Sequence, residues 1–184
     1  MEKEELENYR KFQEGDLAAF EQVVKKYKSG LIYFLKGYVH KTEIAEDLAQ
    51  DVFVYILLHP NGYHSSYSLK TYLYTIAKSR ACTYLKREKR IFFLPKEQEE
   101  TADLEEQIEE KIIQKEEASQ VRNIITKLKK DYQIVLYLAD IEEHSYQEIS
   151  KILNKNLSQV KVLIHRARKA LKKKIREEEK KNER

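Results

Sequence analysis

Residues 145–171 read SYQEISKILNKNLSQVKVLIHRARKAL, and the fold turns on this stretch. It divides into a helix, a short polar turn and a second helix. In the second helix Val160, Ile164, Ala167 and Leu171 recur at steps of four, three and four, which makes one apolar face. Lys161, His165, Arg168 and Lys172 recur at the same steps one residue later. Their stripe therefore lies about 100° around the axis from the apolar one. Such a helix packs on a small core and still offers a row of cations and donors to a DNA groove. Asn156 is placed as its N-cap, with Gln159 as a capping-box partner. Leu157, Ser158, Gln159 and Lys161 then approach base edges, with Val162 beside them, and Gln159 and Lys161 can read A or G. Arg166, Arg168 and Lys169 suit phosphates, and His165 lies in the stripe of Arg168. Tyr146 suits a core cap and a phosphate contact equally. Without the preceding helix and turn, the same pattern would also describe a basic solvated helix.

Working outward, the 184-residue chain is 36% charged and has only four Gly and two Pro. That composition favours helices over a turn-dense β fold. The net charge of +4 is unevenly spread. Lys96 to Glu117 holds ten acidic and three basic residues, a net of −7, whereas Lys161 to Arg184 holds eleven basic and four acidic, a net of +7. Lys78 to Arg90 adds a net of +5. Two basic segments flanking an acidic one suggest a polyanionic partner, although a lone Lys/Arg run also serves solubility. Cys82 is the only cysteine, which leaves no intramolecular disulfide and no multi-cysteine metal site. The charged start, MEKEELENYRK, lacks the apolar core of a signal peptide, and no run approaches the roughly 18 apolar residues of a membrane helix. These features predict a soluble, cytoplasmic protein that is not itself membrane-spanning.

The pattern predicts an all-α fold of two small domains joined by an acidic linker. The first helix is expected to start at Asp16 and carries Phe20, Val23, Val24, Tyr27 and Leu31 on its apolar face, a pattern that runs on to about Val39. A second follows Thr42 as N-cap and buries Ile44, Leu48 and Val52. Asp47, Gln50, Asp51 and Val54 make a separate surface stripe on it. By spacing alone that stripe reads as a solvated face, yet its carboxylates and amide also suit a basic partner surface. HPNGYHSSYS, residues 59–68, is a loop. A third helix runs from Leu69 to Arg90. Aromatics of this segment, Tyr63, Tyr67, Tyr72 and Tyr74, stand beside that basic helix and suit single-stranded bases, or belong partly to the core. Residues 1–95 form the first domain, 96–117 the linker, 118–178 the second domain, and 179–184 a charged tail, with fraying expected after Arg176. No Gly-rich phosphate loop, nucleophile elbow or metalloprotease pattern appears. No cofactor, metal site, small-molecule substrate or enzymatic activity is expected.

Four segments in order resemble the bacterial RNA polymerase sigma factors, in the compact extracytoplasmic-function (ECF) branch of the sigma-70 family: GDLAAFEQVVKKY at 15–27, AEDLAQDVF at 45–53, SLKTYLYTIAKSRACTYLKREKR at 68–90 and the 145–171 stretch. The resemblance implies that residues 1–95 are region two and 118–178 region four. It implies that Asp47, Leu48, Gln50 and Asp51 dock on the clamp helices of the polymerase's largest subunit. It assigns minus-ten recognition and melting to Asn61, Tyr63, His64, Tyr72, Lys78, Ser79, Arg80, Thr83 and Arg87. Minus-thirty-five recognition falls to Tyr146, Leu157, Ser158, Gln159, Lys161, Val162, His165, Arg166, Arg168 and Lys169. The implied partners are core RNA polymerase, promoter DNA and an anti-sigma factor. The chain departs from the family pattern at several of these places. Tyr72, Ser79 and Thr83 stand where Trp, Asn and Asp are usual, Gln159-Val160-Lys161-Val162-Leu163 replaces Thr-Val-Lys-Ser-Arg, and Asn154 replaces the turn glycine. An alternative reading is a helix-turn-helix regulator that is not a polymerase subunit.

Overall fold

Gly15 and Asp16 divide the N-terminal stretch into two helices. Gly15 adopts φ 101°, a conformation that strains any residue with a Cβ, and the Asp16 carboxylate accepts the Ala19 N–H as an N-cap. The computed structural model describes residues 2–39, 41–64, 66–92 and 124–182. A helix α1 (Glu2–Gln13) precedes α2 (Leu17–Lys36), so the expectation that the first helix starts at Asp16 missed one element. The chain's charged opening hides two apolar residues one helical step apart, Tyr9 and Phe12, and both are buried. Phe12 packs on Phe20 with ring centroids 4.6 Å apart.

The next helix, α3 (Thr42–Leu58), has Lys41 at its cap with no side-chain cap bond, and Thr42 occupies the first helical position instead of capping. After a 3-10 turn at Pro60–Gly62 comes α4 (Leu69–Phe92). Ser68 Oγ accepts the Thr71 N–H at 3.2 Å and satisfies one orphan donor at its start. Leu31, Leu35, Val52, Ile56, Leu73 and Ala77 fill the core between α2, α3 and α4. Tyr74 is fully buried, whereas Tyr72 is half-buried.

The C-terminal lobe begins, among the described residues, with a short helical fragment at 124–126; the rest of the helix expected around Val121 lies outside them, as does the linker. Helix α5 (Lys130–Leu136) runs into a π-turn at Tyr137–Ile141, where the Glu142 N–H reaches back to the Tyr137 carbonyl at 2.9 Å. Helix α6 (Tyr146–Leu153) starts with a full capping box between Ser145 and Glu148 and ends at Asn154, φ 50°. Asn tolerates this left-handed conformation because its short side chain hydrogen-bonds locally. Helix α7 spans Leu157–Asn182, so residues 177–182 of the segment expected to fray are helical. Lys174 and Glu177, three residues apart and 3.0 Å between charged atoms, and Lys127 with Glu178 extend side-chain pairing into that end.

The two lobes pack on each other. Ring centroids of Tyr33 and Tyr137 lie 4.6 Å apart. Tyr137 Oη donates to the Glu142 carboxylate at 2.6 Å and lies 3.0 Å from the Gly30 carbonyl, a second acceptor for the same proton. A Cβ at Gly30 would stand 2.6 Å from Tyr74 Oη and 3.1 Å from Glu142, so only glycine lets these groups close over α2. Lys70 on α4 pairs with the Glu142 carboxylate at 2.6 Å and also donates to its carbonyl at 2.7 Å.

Candidate nucleic-acid and polymerase interfaces

On α7 the apolar stripe is inside: Val160, Ile164 and Ala167 are buried and Leu171 half-buried. The expected cap is present in both directions. Gln159 N–H donates to Asn156 Oδ1 at 2.8 Å and Asn156 N–H donates to Gln159 Oε1 at 3.0 Å. Ser158, Gln159, Lys161, Val162, His165, Arg166, Arg168 and Lys169 are all exposed, and Leu157 is half-buried. Arg166 and Lys169 lie on a third face, where they line an open groove with Tyr132, Lys173, Arg176 and Lys180. Arg168 is not a bare cation. It pairs with Asp140 and reaches Tyr146 Oη at 3.4 Å, and the Asp140 hydrogen bond raises its already high pKa. Half-buried Tyr146 thus faces both core and cation.

On α3 Asp47, Gln50 and Asp51 share one exposed face, while Leu48 is buried among core residues and backs that face from inside. The same helical steps continue through exposed Val54, Leu57 and Leu58. Leu57 and Leu58 escaped the sequence reading, although they extend the stripe at i+3 and i+4 from Val54.

At the start of α4, Asn61 and His64 are exposed and Tyr63 is half-buried. The Tyr63 ring stands 5.2 Å from Tyr9 and 5.5 Å from Tyr72, and its hydroxyl donates to the Tyr67 carbonyl at 2.7 Å. Arg80 lies 5.0 Å over the Tyr55 ring. Ser79, Thr83 and Arg87 are exposed. Lys78 Nζ donates to the Leu153 carbonyl at the end of α6, 3.0 Å away. Lys78 and Ser79 border a shallow groove with Lys151 and Asn154 of the other lobe. The structure therefore brings part of the α4 face against the turn that launches α7.

Two groups at this joint, half-buried Glu148 and buried His144, were not singled out from the sequence. Glu148 Oε1 accepts Thr71 Oγ1 at 2.7 Å and Ser68 Oγ at 2.8 Å, while its other oxygen closes the α6 box. Burial pushes this carboxyl up, but the hydrogen bonds from Thr71, Ser145 and Ser68 outweigh that and hold it at about 2. The Ser145-Tyr-Gln-Glu148 spacing is the sequence signal for the capping half of this role. His144 is buried, edge-on to Tyr74 at 5.1 Å, and burial drives its pKa down to about 4.

Residues 23–91 match the family model "Sigma-70 region 2" and residues 118–171 match "Sigma-70, region 4". The RNA polymerase sigma factor YlaC of Bacillus subtilis (strain 168) is 34% identical over 166 residues, which cover 88% of this chain and 96% of the relative. The chain belongs to the sigma-70 family of RNA polymerase sigma factors, in its ECF branch. The ECF RNA polymerase sigma factor SigW of the same organism is 31% identical over 180 residues, 91% of this chain and 95% of the relative. Among solved structures, the sigma factor RpoE bound to the anti-sigma factor NepR, from Bartonella quintana, shares the fold at a TM-score of 0.62 and 17% identity, with 85% of this chain and 96% of that one covered. As a sigma factor the protein acts in transcription initiation, and the all-α architecture expected from its periodicity is the family's fold.

Proposed function

We propose that this sigma factor divides promoter recognition between its lobes along the faces described above. The observation that carries the reading is α7: a reciprocally capped helix whose Ser158, Gln159 and Lys161 are exposed and whose Lys161–Arg168 stripe lies about 100° from its buried stripe. Gln159 and Lys161 lead into the major groove of the minus-thirty-five element, and Arg166, Arg168 and Lys169 hold phosphates. Asp47, Gln50 and Asp51, backed by Leu48, dock on the clamp helices of core polymerase. The loop at 59–64, with α4 behind it, holds an unstacked base of the minus-ten element; Asn61, Tyr63 and His64 supply a ring face and polar groups. Ser79 offers a hydroxyl where the family's Asn offers both donor and acceptor, so base discrimination there is looser. The protein does no covalent chemistry; it positions polymerase in the cytoplasm, and an anti-sigma factor holds it inactive. No helix among the described residues is long and apolar enough to cross a membrane.

Run-off transcription with core polymerase on a random promoter library tests the reading. The wild-type chain is expected to select a promoter class with two separated elements. The Asp47→Lys/Asp51→Lys variant is expected to lose co-purification with core enzyme while its helicity stays. Unchanged core affinity in that variant would sink the α3 assignment.

A further inference from the structure

We propose that α1, which precedes the region-two match at residues 23–91, is a positioning element for promoter opening and acts through the Pro60 carbonyl. The inference rests on the reading of the 59–64 loop as the holder of an unstacked base. Tyr9 and Gln13 lie one turn apart on α1 and so face the same way. Both donate to one acceptor, the Pro60 carbonyl, Tyr9 Oη at 2.9 Å and Gln13 Nε2 at 3.1 Å. These bonds reach across 51 and 47 residues of chain to the first residue of the 3-10 turn. Tyr9 is fully buried, and burial drives its phenol far above the usual range, so it stays a neutral donor. Its ring meets Tyr63 at 74° on the other side of the turn.

The loop is thus pinned at three points. Pro60 is held by α1, the Gly62 N–H closes on the His59 carbonyl at 3.0 Å, and the Tyr63 hydroxyl closes on the Tyr67 carbonyl. Asn61, Gly62 and His64 are left exposed between the pins. A tip ordered before DNA arrives does not have to lose conformational freedom during capture, so its contacts count fully toward opening. Helix α1 is itself anchored: Phe12 packs on Phe20, and Glu5 accepts from Lys26 and Tyr27 on α2. Tyr9 and Gln13 touch no DNA in this scheme; they act through the loop.

The test uses holoenzyme assembled with the full chain. Tyr9→Phe removes one hydroxyl and keeps the ring contacts; Gln13→Ala is a surface change. Opening of a linear promoter, followed by permanganate reactivity of unpaired thymines, is expected to slow about tenfold in Tyr9→Phe/Gln13→Ala and about threefold in Gln13→Ala alone, the scale of lost single hydrogen bonds. Core affinity and closed-complex binding should be unchanged, and a pre-melted bubble should restore transcription, which a merely misfolded lobe would not allow. Replacing residues 61–64 with Gly/Ser should slow opening too, and adding the α1 changes to that variant should do no further harm. If the loop variant is slow but the α1 variants open normally, the positioning role is overturned and the loop reading stands. Additive losses in the combined variant overturn it as well, since α1 then acts by another route. A loop variant that opens at the normal rate overturns the loop reading itself, and the positioning role with it.

Discussion

One carboxylate, Glu148, does two jobs at the residue scale. One oxygen caps α6 and the other receives two hydroxyls from the start of α4. Charge-assisted bonds of this kind are stronger than neutral ones. Glu148→Ala is expected to lower stability by about 1–3 kcal/mol, since it leaves a helix N-terminus and two hydroxyls without their acceptor. Glu148→Gln keeps an acceptor oxygen but removes the charge. With a folded-state pKa of about 2 against 4.5, the wild-type carboxylate contributes stability above pH 4.5 that is lost as pH falls toward 2. Thermal melting should show a shallower acid limb over that window in Glu148→Gln.

The element scale is set by α7, where two cations of one stripe do not behave alike. Lys161 stands exposed near the cap, whereas Arg168 is already engaged by Asp140 and Tyr146. On the proposed reading, phosphate binding by Arg168 therefore displaces or shares an internal anion. Asp140→Asn is expected to tighten binding to all DNA sequences and steepen its salt dependence, because a freed cation releases a further counterion. Lys161→Ala is expected to reduce discrimination between promoter variants by roughly 1–3 kcal/mol, if it reads a base edge as its position suggests. Equilibrium binding across a salt series, with matched and mismatched promoters, separates the two: a sequence-uniform loss in Lys161→Ala would demote it to a phosphate contact. The cap itself is expected to matter less, with Asn156→Ala costing about 1 kcal/mol by thermal melting.

For the whole molecule, the joint between lobes decides behaviour. On the reading proposed above, the lobes contact the minus-ten and minus-thirty-five elements, whose names place them about 25 base pairs apart, roughly 85 Å at ~3.4 Å per pair. In the structure Lys78 touches the last turn of α6, just before α7. Reading both elements at once therefore requires the lobes to part, and fluorescence energy transfer between dyes on α2 and α7 is expected to drop when core polymerase and promoter are added. His144 makes the joint acid-sensitive. It is buried beside Tyr74 on α4, with Lys70 of α4 and Glu142 and Glu148 of its own lobe acting on its charge. Its folded-state pKa, about 4, lies below 6.5, so the unfolded chain binds the extra proton between those values and stability falls as pH drops from 6.5 to 4. His144→Leu should flatten that part of the melting-temperature curve, leaving the lower Glu148 window in place.

Much of this was legible in local spacing. The Asn156–Gln159 cap, the buried stripe of α7 and the exposed Asp47–Asp51 face all follow from residues within a turn or two of one another, because helical periodicity and capping act over three to five residues. What local spacing could not reach was every partner supplied from far along the chain. Tyr9 and Gln13 meet Pro60 across about fifty residues, Glu148 meets Ser68 and Thr71 across about eighty, and Arg168 meets Asp140 across 28. A short polar opening such as α1 also has too few apolar positions to announce itself, and tertiary packing of Tyr9 and Phe12 is what makes it a helix with a role. For the described helices other than α1, the sequence by itself determined their faces and the chemistry each face carries. Only the tertiary structure decided which charged groups stand open and which are already paired, since that depends on what folding brings within hydrogen-bond reach.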